Sequence, residues 1–140
     1  MTDLLFSYLV RDSTSDPYGQ RLYDDGKVES YRVSRLVKSA SGAYQEQPVT
    51  PGWYPAATLN EDQLAQSRAA IEASGVRGMP AKVTGSANNT SDLASGEIEV
   101  MTGDGLHKMT VKPWYPGGDT GRRLFHLISQ LNNLITQSLA

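Results

Sequence analysis

The C-terminal segment places the strongest constraint on what this chain can fold into. From about Thr120 to Gln137, Leu124, Leu127, Ile128, Leu131, Leu134 and Ile135 recur at helical spacing, so one apolar stripe runs along the helix and polar residues fill its other side. Such a stripe must be buried against another apolar face. The segment before it supplies one. Ile98, Val100 and Thr102 alternate with Glu97, Glu99 and Met101, and His107, Met109 and Val111 alternate with Lys108, Thr110 and Lys112. A two-residue turn at Asp104-Gly105 would join them as a hairpin, pairing Ile98 with Val111, Val100 with Met109 and Thr102 with His107, which leaves one face largely apolar on both strands.

The N-terminal half repeats this logic. Leu4, Phe6, Tyr8 and Val10 alternate along a half-buried strand that ends at the turn-forming run Asp12 to Pro17. Strands around Gln20 to Asp24 and Lys27 to Val37 flank Asp25-Gly26. A three-residue loop there sets Leu22 opposite Val28 and Arg21 opposite Glu29, whereas a two-residue loop sets Tyr23 opposite Val28; the first is favoured because it pairs apolar with apolar and acid with base. Residues 38–58, rich in Ser, Gly, Gln and Pro, read as a long irregular connection. A helix then starts at Asn60, whose side chain can cap it, with Gln63 at box spacing and Glu61 and Asp62 at the positive end. It ends near Gly75, with Leu64 and Ile71 as its core residues. Residues 76–95 read as a second irregular connection with room for a short strand near Ala81 to Thr84. The order is βββ-α-(β)ββ-α, without regular strand-helix alternation. Residues 1–140 are therefore expected to form a single α+β domain, a mainly antiparallel sheet of about five strands with two helices on one face.

Composition removes several function classes. The chain of 140 residues has no cysteine, which excludes disulfides, thiolate catalysis and cysteine-based metal centres. A formal charge of −2, spread along the chain, provides no global attraction for nucleic acid or anionic membranes. Met1-Thr2-Asp3 carries an acid where a secretory signal needs bases, and no apolar run approaches the ~20 residues of a spanning helix. The expectation is a soluble, cytoplasmic protein with no membrane or nucleic-acid partner. The Asn88-Asn89-Thr90 stretch fits a glycosylation pattern but reads as a loop in that setting.

Four features could carry function. The two tryptophans each open a Trp-Tyr-Pro triplet ahead of a helix, at Trp53-Tyr54 and Trp114-Tyr115. Such rings either close the core or converge into a partner-binding patch. A duplicated unit would need a long insertion in the first copy, since Gly26 to Trp53 is far longer than Gly105 to Trp114. Gly118, Thr120, Gly121 and Arg122 open the last helix, where backbone N–H groups can hold an anion, although no Lys-Ser or Lys-Thr follows at phosphate-loop spacing. His107 lies near a turn beside Thr102 and is the one histidine placed for acid-base work; His126 falls on the polar side of the last helix. Asp24 and Asp25 are adjacent, a pairing that usually solvates a turn and that offers too few oxygens for a calcium loop. No serine sits in a nucleophile elbow.

No metal or cofactor is expected from this set. The reading it supports is a non-catalytic interaction or ligand-binding domain, self-associating as a homodimer or meeting a protein partner through a sheet edge or the aromatic residues. The alternative is a small hydrolase or transferase using His107 with a neighbouring acid or hydroxyl.

Overall fold

A computed structural model describes residues 3–12, 15–84, 94–112, 114 and 118–139. Seven strands form one sheet: β1 (Leu4–Asp12), β2 (Ser15–Tyr23), β3 (Lys27–Lys38), β4 (Tyr44–Thr58), β5 (Lys82–Thr84), β6 (Ser95–Thr102) and β7 (Gly105–Lys112). Their spatial order is β4-β3-β2-β1-β6-β7-β5. All neighbours are antiparallel except β5, which runs parallel to β7. Two helices, α1 (Glu61–Ser74) and α2 (Gly118–Leu139), complete the single α+β domain.

The helices form where the side chains favour them. Asn60 Oδ1 accepts from Gln63 N–H at 2.8 Å while Asn60 N–H donates to Gln63 Oε1 at 3.0 Å, a complete capping box. α1 ends at Gly75 in the left-handed region, φ 71°. Leu124, Leu127, Leu131, Leu134 and Ile135 of α2 are buried. Most of them join Phe6, Tyr8, Val10, Leu22, Val28, Ile98, Val100, Met109 and Val111, the inward residues of five strands, in one cluster, where each large aliphatic or aromatic side chain contributes about 1.5–3 kcal/mol.

Several details depart from the sequence reading. Residues 38–58 are not irregular: β4 occupies Tyr44–Thr58 and pairs with β3 along nearly its whole length. The alternation that announces a strand is missing there because β4 is an edge strand with little buried on either face, and Pro48, Pro51 and Pro55 are tolerated at an edge because their missing N–H can face solvent. In the region 76–95, Val76–Gly78 forms a 3-10 turn and β5 is the short strand expected there.

The Asp25-Gly26 hairpin takes the favoured three-residue register, Leu22 opposite Val28 and Arg21 opposite Glu29, but the second hairpin slips by two residues. Ile98 faces Met109, Val100 faces His107 and Gly96 faces Val111, with Gly103-Asp104 at the turn. A two-residue slip keeps every side chain on its face, so the inward set is unchanged. Trp114 packs against β6 in this register. Its ring lies on Gly96, where a Cβ would come within 2.0 Å of Trp114 Cε3, and the Trp114 backbone N–H donates to the Ala94 carbonyl at 2.7 Å, extending the pairing past β7.

Candidate binding site on the sheet face away from the helices

β1 is the central strand, and its burial exceeds what alternation implies. Leu5 to Val10 are all buried, Ser7 and Leu9 included, although these two point away from the helical layer. The side chains that cover them come from neighbouring strands. Ser7 lies between Arg21 of β2 and Glu99 of β6, and Leu9 lies between Gly19 and Glu97. Farther out, Tyr31 of β3 faces Trp53 of β4, the rings meeting edge to face at 5.3 Å. Arg21 lies over the Trp53 indole, Cζ 4.1 Å from the ring centroid, a contact worth about 0.5–2 kcal/mol depending on desolvation.

An open trough of 210 Å³ is lined by Ser7, Leu9, Arg11, Arg21, Tyr31, Trp53, Glu97 and Glu99, with no residue from either helix. Opposite Leu9, β2 carries Gly19, where a Cβ would sit 2.0 Å from the Tyr8 carbonyl oxygen, so the close approach of β1 and β2 at this point requires glycine.

The charges in the trough are not satisfied by one another. Among the described residues the ion pairs are Lys27–Asp25, Arg77–Glu72, Arg122–Asp119 and Arg123–Asp119, none of which includes Arg11, Arg21, Glu97 or Glu99. Arg21 Nε is buried without a hydrogen-bond partner, a condition that normally costs about 1–3 kcal/mol. Beside the trough, Tyr23 donates to Glu29 Oε1 at 2.6 Å; burial first, then Glu29, raise the Tyr23 phenol above its ordinary pKa, against the lowering effect of Arg21.

The residues singled out in the sequence are dispersed. Trp53 belongs to the trough, but Tyr54, its neighbour in an alternating strand, points to the other side and donates to the Thr50 carbonyl at 2.6 Å. Trp114 is buried on the helical side, stacked on Tyr8 at 6.0 Å. The two indoles therefore lie on opposite faces of the sheet and do not converge. The two triplets also differ in position, one within β4 and the other after β7, and Tyr115 lies outside the described residues, as do Asn88, Asn89 and Thr90.

At the start of α2, Gly118 takes φ 68° and is followed by Asp119 in the first turn. Thr120 is half-buried and Gly121 buried. The Asp119 carboxylate meets Arg123 at 2.9 Å and Arg122 at 3.6 Å, so the negative charge at this helix start comes from the chain itself. An open groove of 560 Å³ between α1 and α2 collects Arg122, Arg123 and His126 over Ala69, Ala70 and Ala73. Asp24 and Asp25 serve their turn: Asp24 Oδ1 accepts from Asp3 N–H and Asp25 Oδ1 from Lys27 N–H.

His107 is half-buried, with Nε2 2.7 Å from the Met79 carbonyl oxygen. Nε2–H donates there and ties the chain beyond the 3-10 turn to β7. Among the described residues no group of three His, Asp or Glu side chains is arranged to hold a metal, and no helix is long and apolar enough to cross a membrane.

Compared with known proteins, the chain matches no family model and no curated protein. Function must be argued from this geometry. The trough residues Ser7, Leu9, Arg11, Arg21, Tyr31, Glu97 and Glu99 escaped the sequence reading. Their one signal was the outward charge on β2 and β6, which alternation alone assigns to solvent.

Proposed function

We propose that this protein is a small non-catalytic ligand-binding domain whose binding surface is the trough over β1. The observation that carries this reading is the combination, in one open trough, of a stacked Arg21–Trp53 pair with a buried unpartnered Nε and two carboxylates, the exposed Glu97 and the half-buried Glu99, that form no ion pair among the described residues. Polar groups held in place without internal partners are what a concave site needs to orient a small molecule. The support for catalysis by His107 is weaker, since its Nε2 is committed to a backbone carbonyl and no carboxylate or hydroxyl hydrogen-bonds to it among the described residues. Self-association through the long β4 edge also has less support, because proline at three of its positions removes donors that another strand would need.

The test is a nitrogen-proton NMR titration with four probes of different chemistry: L-leucine, acetate, glucose and adenosine monophosphate. The reading expects at least one probe to move the Arg21 Nε–H, the Trp53 indole N–H and the Ser7, Leu9, Glu97 and Glu99 amides together. Shifts confined to His107 and Met79, or to the α1–α2 groove, would remove the trough as the binding surface.

A further inference from the structure

We propose that the outer half of the β3–β4 hairpin is an arm that docks on the acidic end of a second copy of this chain. The proposal does not depend on what the trough binds.

β3 outruns the sheet. β2 pairs with it at Val28, Glu29 and Ser30, whereas β4 stays with it as far as Lys38. The rungs from Ser34–Pro48 to Lys38–Tyr44 therefore form a two-stranded ribbon about 13 Å long. A turn closes it, in which Ser39 N–H donates to the Ala43 carbonyl at 2.7 Å and Gly42 takes φ 88°. From Glu29 to Thr58 no residue is buried. A ribbon of two strands is marginally stable by itself, so this one gains from a surface to lie on.

Its side chains indicate the chemistry of that surface. Leu36 pairs with Glu46 and Lys38 with Tyr44, which makes Leu36 and Tyr44 diagonal neighbours on one face. They are 70% and 68% exposed, the highest values among the large apolar side chains of the described residues. Arg32, Arg35 and Lys38 are exposed along the same strand. Glu46 is the one acid between Tyr31 and Thr50, and its carboxylate accepts from Ser34 Oγ–H at 3.0 Å. The arm is thus basic with an apolar tip, although the chain as a whole carries a charge of −2.

The other end of β3 has the opposite character. Asp24 N–H donates to the Asp3 carbonyl at 2.8 Å, and Leu59 N–H to the Gly26 carbonyl at 2.8 Å, which holds the start of α1 against the β2–β3 turn and gathers Asp3, Asp24, Asp25, Glu61 and Asp62. The bases beside them are Lys27, paired with Asp25 at 3.8 Å, and Arg68, which donates to the Asp24 carbonyl at 3.0 Å. Acids therefore outnumber bases. Next to them lies an open groove of 420 Å³, lined by Lys27 and by Tyr23, Val28, Glu29, Pro55, Ala57 and Thr58. Its apolar residues suit Leu36 and Tyr44, and the surrounding carboxylates suit the three bases.

The groove begins at Lys27 and the arm ends at Lys38, about 36 Å of strand away, so an arm cannot reach the groove of its own chain. A second copy supplies it. Two chains laid antiparallel make the contact twice and close as a pair. The ribbon uses its face here, and the proline-broken edge of β4 stays unpaired.

The experiment is size-exclusion chromatography with light scattering of the full chain over a range of concentrations. The wild type is expected to show a mass that rises with concentration to at least twice that of one chain. Two variants at exposed positions separate the halves of the contact: L36S/Y44S spoils the arm and keeps the groove, and T58R blocks the groove with a base and keeps the arm. Each is expected to associate at least tenfold more weakly than the wild type, with unfolding midpoints on the same samples showing both folded. Their mixture decides, because the intact arm of T58R meets the intact groove of L36S/Y44S, and a one-to-one pair should form more tightly than either variant pairs alone. A mixture that stays monomeric while the wild type associates overturns the arm-to-groove contact, as does L36S/Y44S associating like the wild type. A wild type that stays monomeric throughout overturns the proposal too, and a DNA or RNA duplex bound by it and released by R32Q/R35Q/K38Q would reassign the arm to nucleic acid.

Discussion

Replacing Gly96 with alanine tests how the sheet acquired its register. The backbone tolerates the change, since Gly96 is not in the left-handed region, but the new Cβ would lie 2.0 Å from Trp114 Cε3 and 2.1 Å from Cζ3, where carbon atoms normally stand about 3.5–4.0 Å apart. The indole must retreat by roughly 1.5–2 Å, the shortfall against that contact distance, and give up its stacking on Tyr8. Overpacking of this kind costs about 1–3 kcal/mol.

In a Trp114→Ala background, itself destabilised by about 3–5 kcal/mol, the obstacle is gone. Gly96→Ala should then stabilise by about 0.4–1 kcal/mol through the unfolded chain. The two measurements differ by a coupling of about 1.5–4 kcal/mol, well above the error of urea unfolding followed by circular dichroism. If Gly96→Ala costs the same in both backgrounds, the ring is not what requires glycine, and the register must be explained by the turn alone.

Three further outcomes are expected. Asn60→Ala removes the side-chain half of the capping box and should cost about 1 kcal/mol in thermal unfolding; no change would mean that α1 is held by tertiary packing alone. Tyr8 should make stability fall at alkaline pH. Burial, partly offset by the hydrogen bond to Asn132, raises its pKa above the ordinary 10.0, so its contribution is intact below pH 10 and is lost as pH rises through the folded value. Comparing urea midpoints at about pH 8 and pH 11, Tyr8→Phe should show a smaller alkaline loss than the wild type; an identical loss would assign the effect elsewhere, Tyr23 being another phenol with a raised pKa. His107→Ala should lower stability by about 0.5–1.5 kcal/mol through the lost bond to Met79, and a neutral result would show that His107 does not tie the 3-10 turn to β7.

Much of the architecture was legible because local patterns agreed with the final packing. The stripe on α2, the Asn60–Gln63 cap and the alternation in β1, β6 and β7 each report their own burial, and the helical side of the sheet follows from them. β4 was not legible because an edge strand buries too little to impose a pattern on its residues. The slipped register of β6 and β7 was hidden for a different reason: Asp104-Gly105 is a good local turn, but the cost of a side chain at Gly96 depends on Trp114, which only the folded chain brings there. The trough was least visible of all. Arg21 and Glu99 flank Ser7 only because β2 and β6 flank β1, and they come from parts of the chain nearly eighty residues apart. In the sequence they look like ordinary outward charges, and Trp53 looks paired with Trp114 by motif when it is in fact paired with Arg21 and Tyr31.

Ligand binding over β1 requires the two indoles to have opposite surroundings, Trp53 on the wall of an accessible trough and Trp114 closing the core. Acrylamide quenching of two single-tryptophan variants, Trp114→Phe and Trp53→Phe, measures this directly. Trp53 is expected to be quenched severalfold more readily than Trp114. Equal protection of both indoles from acrylamide would contradict an accessible trough with Trp53 on its wall.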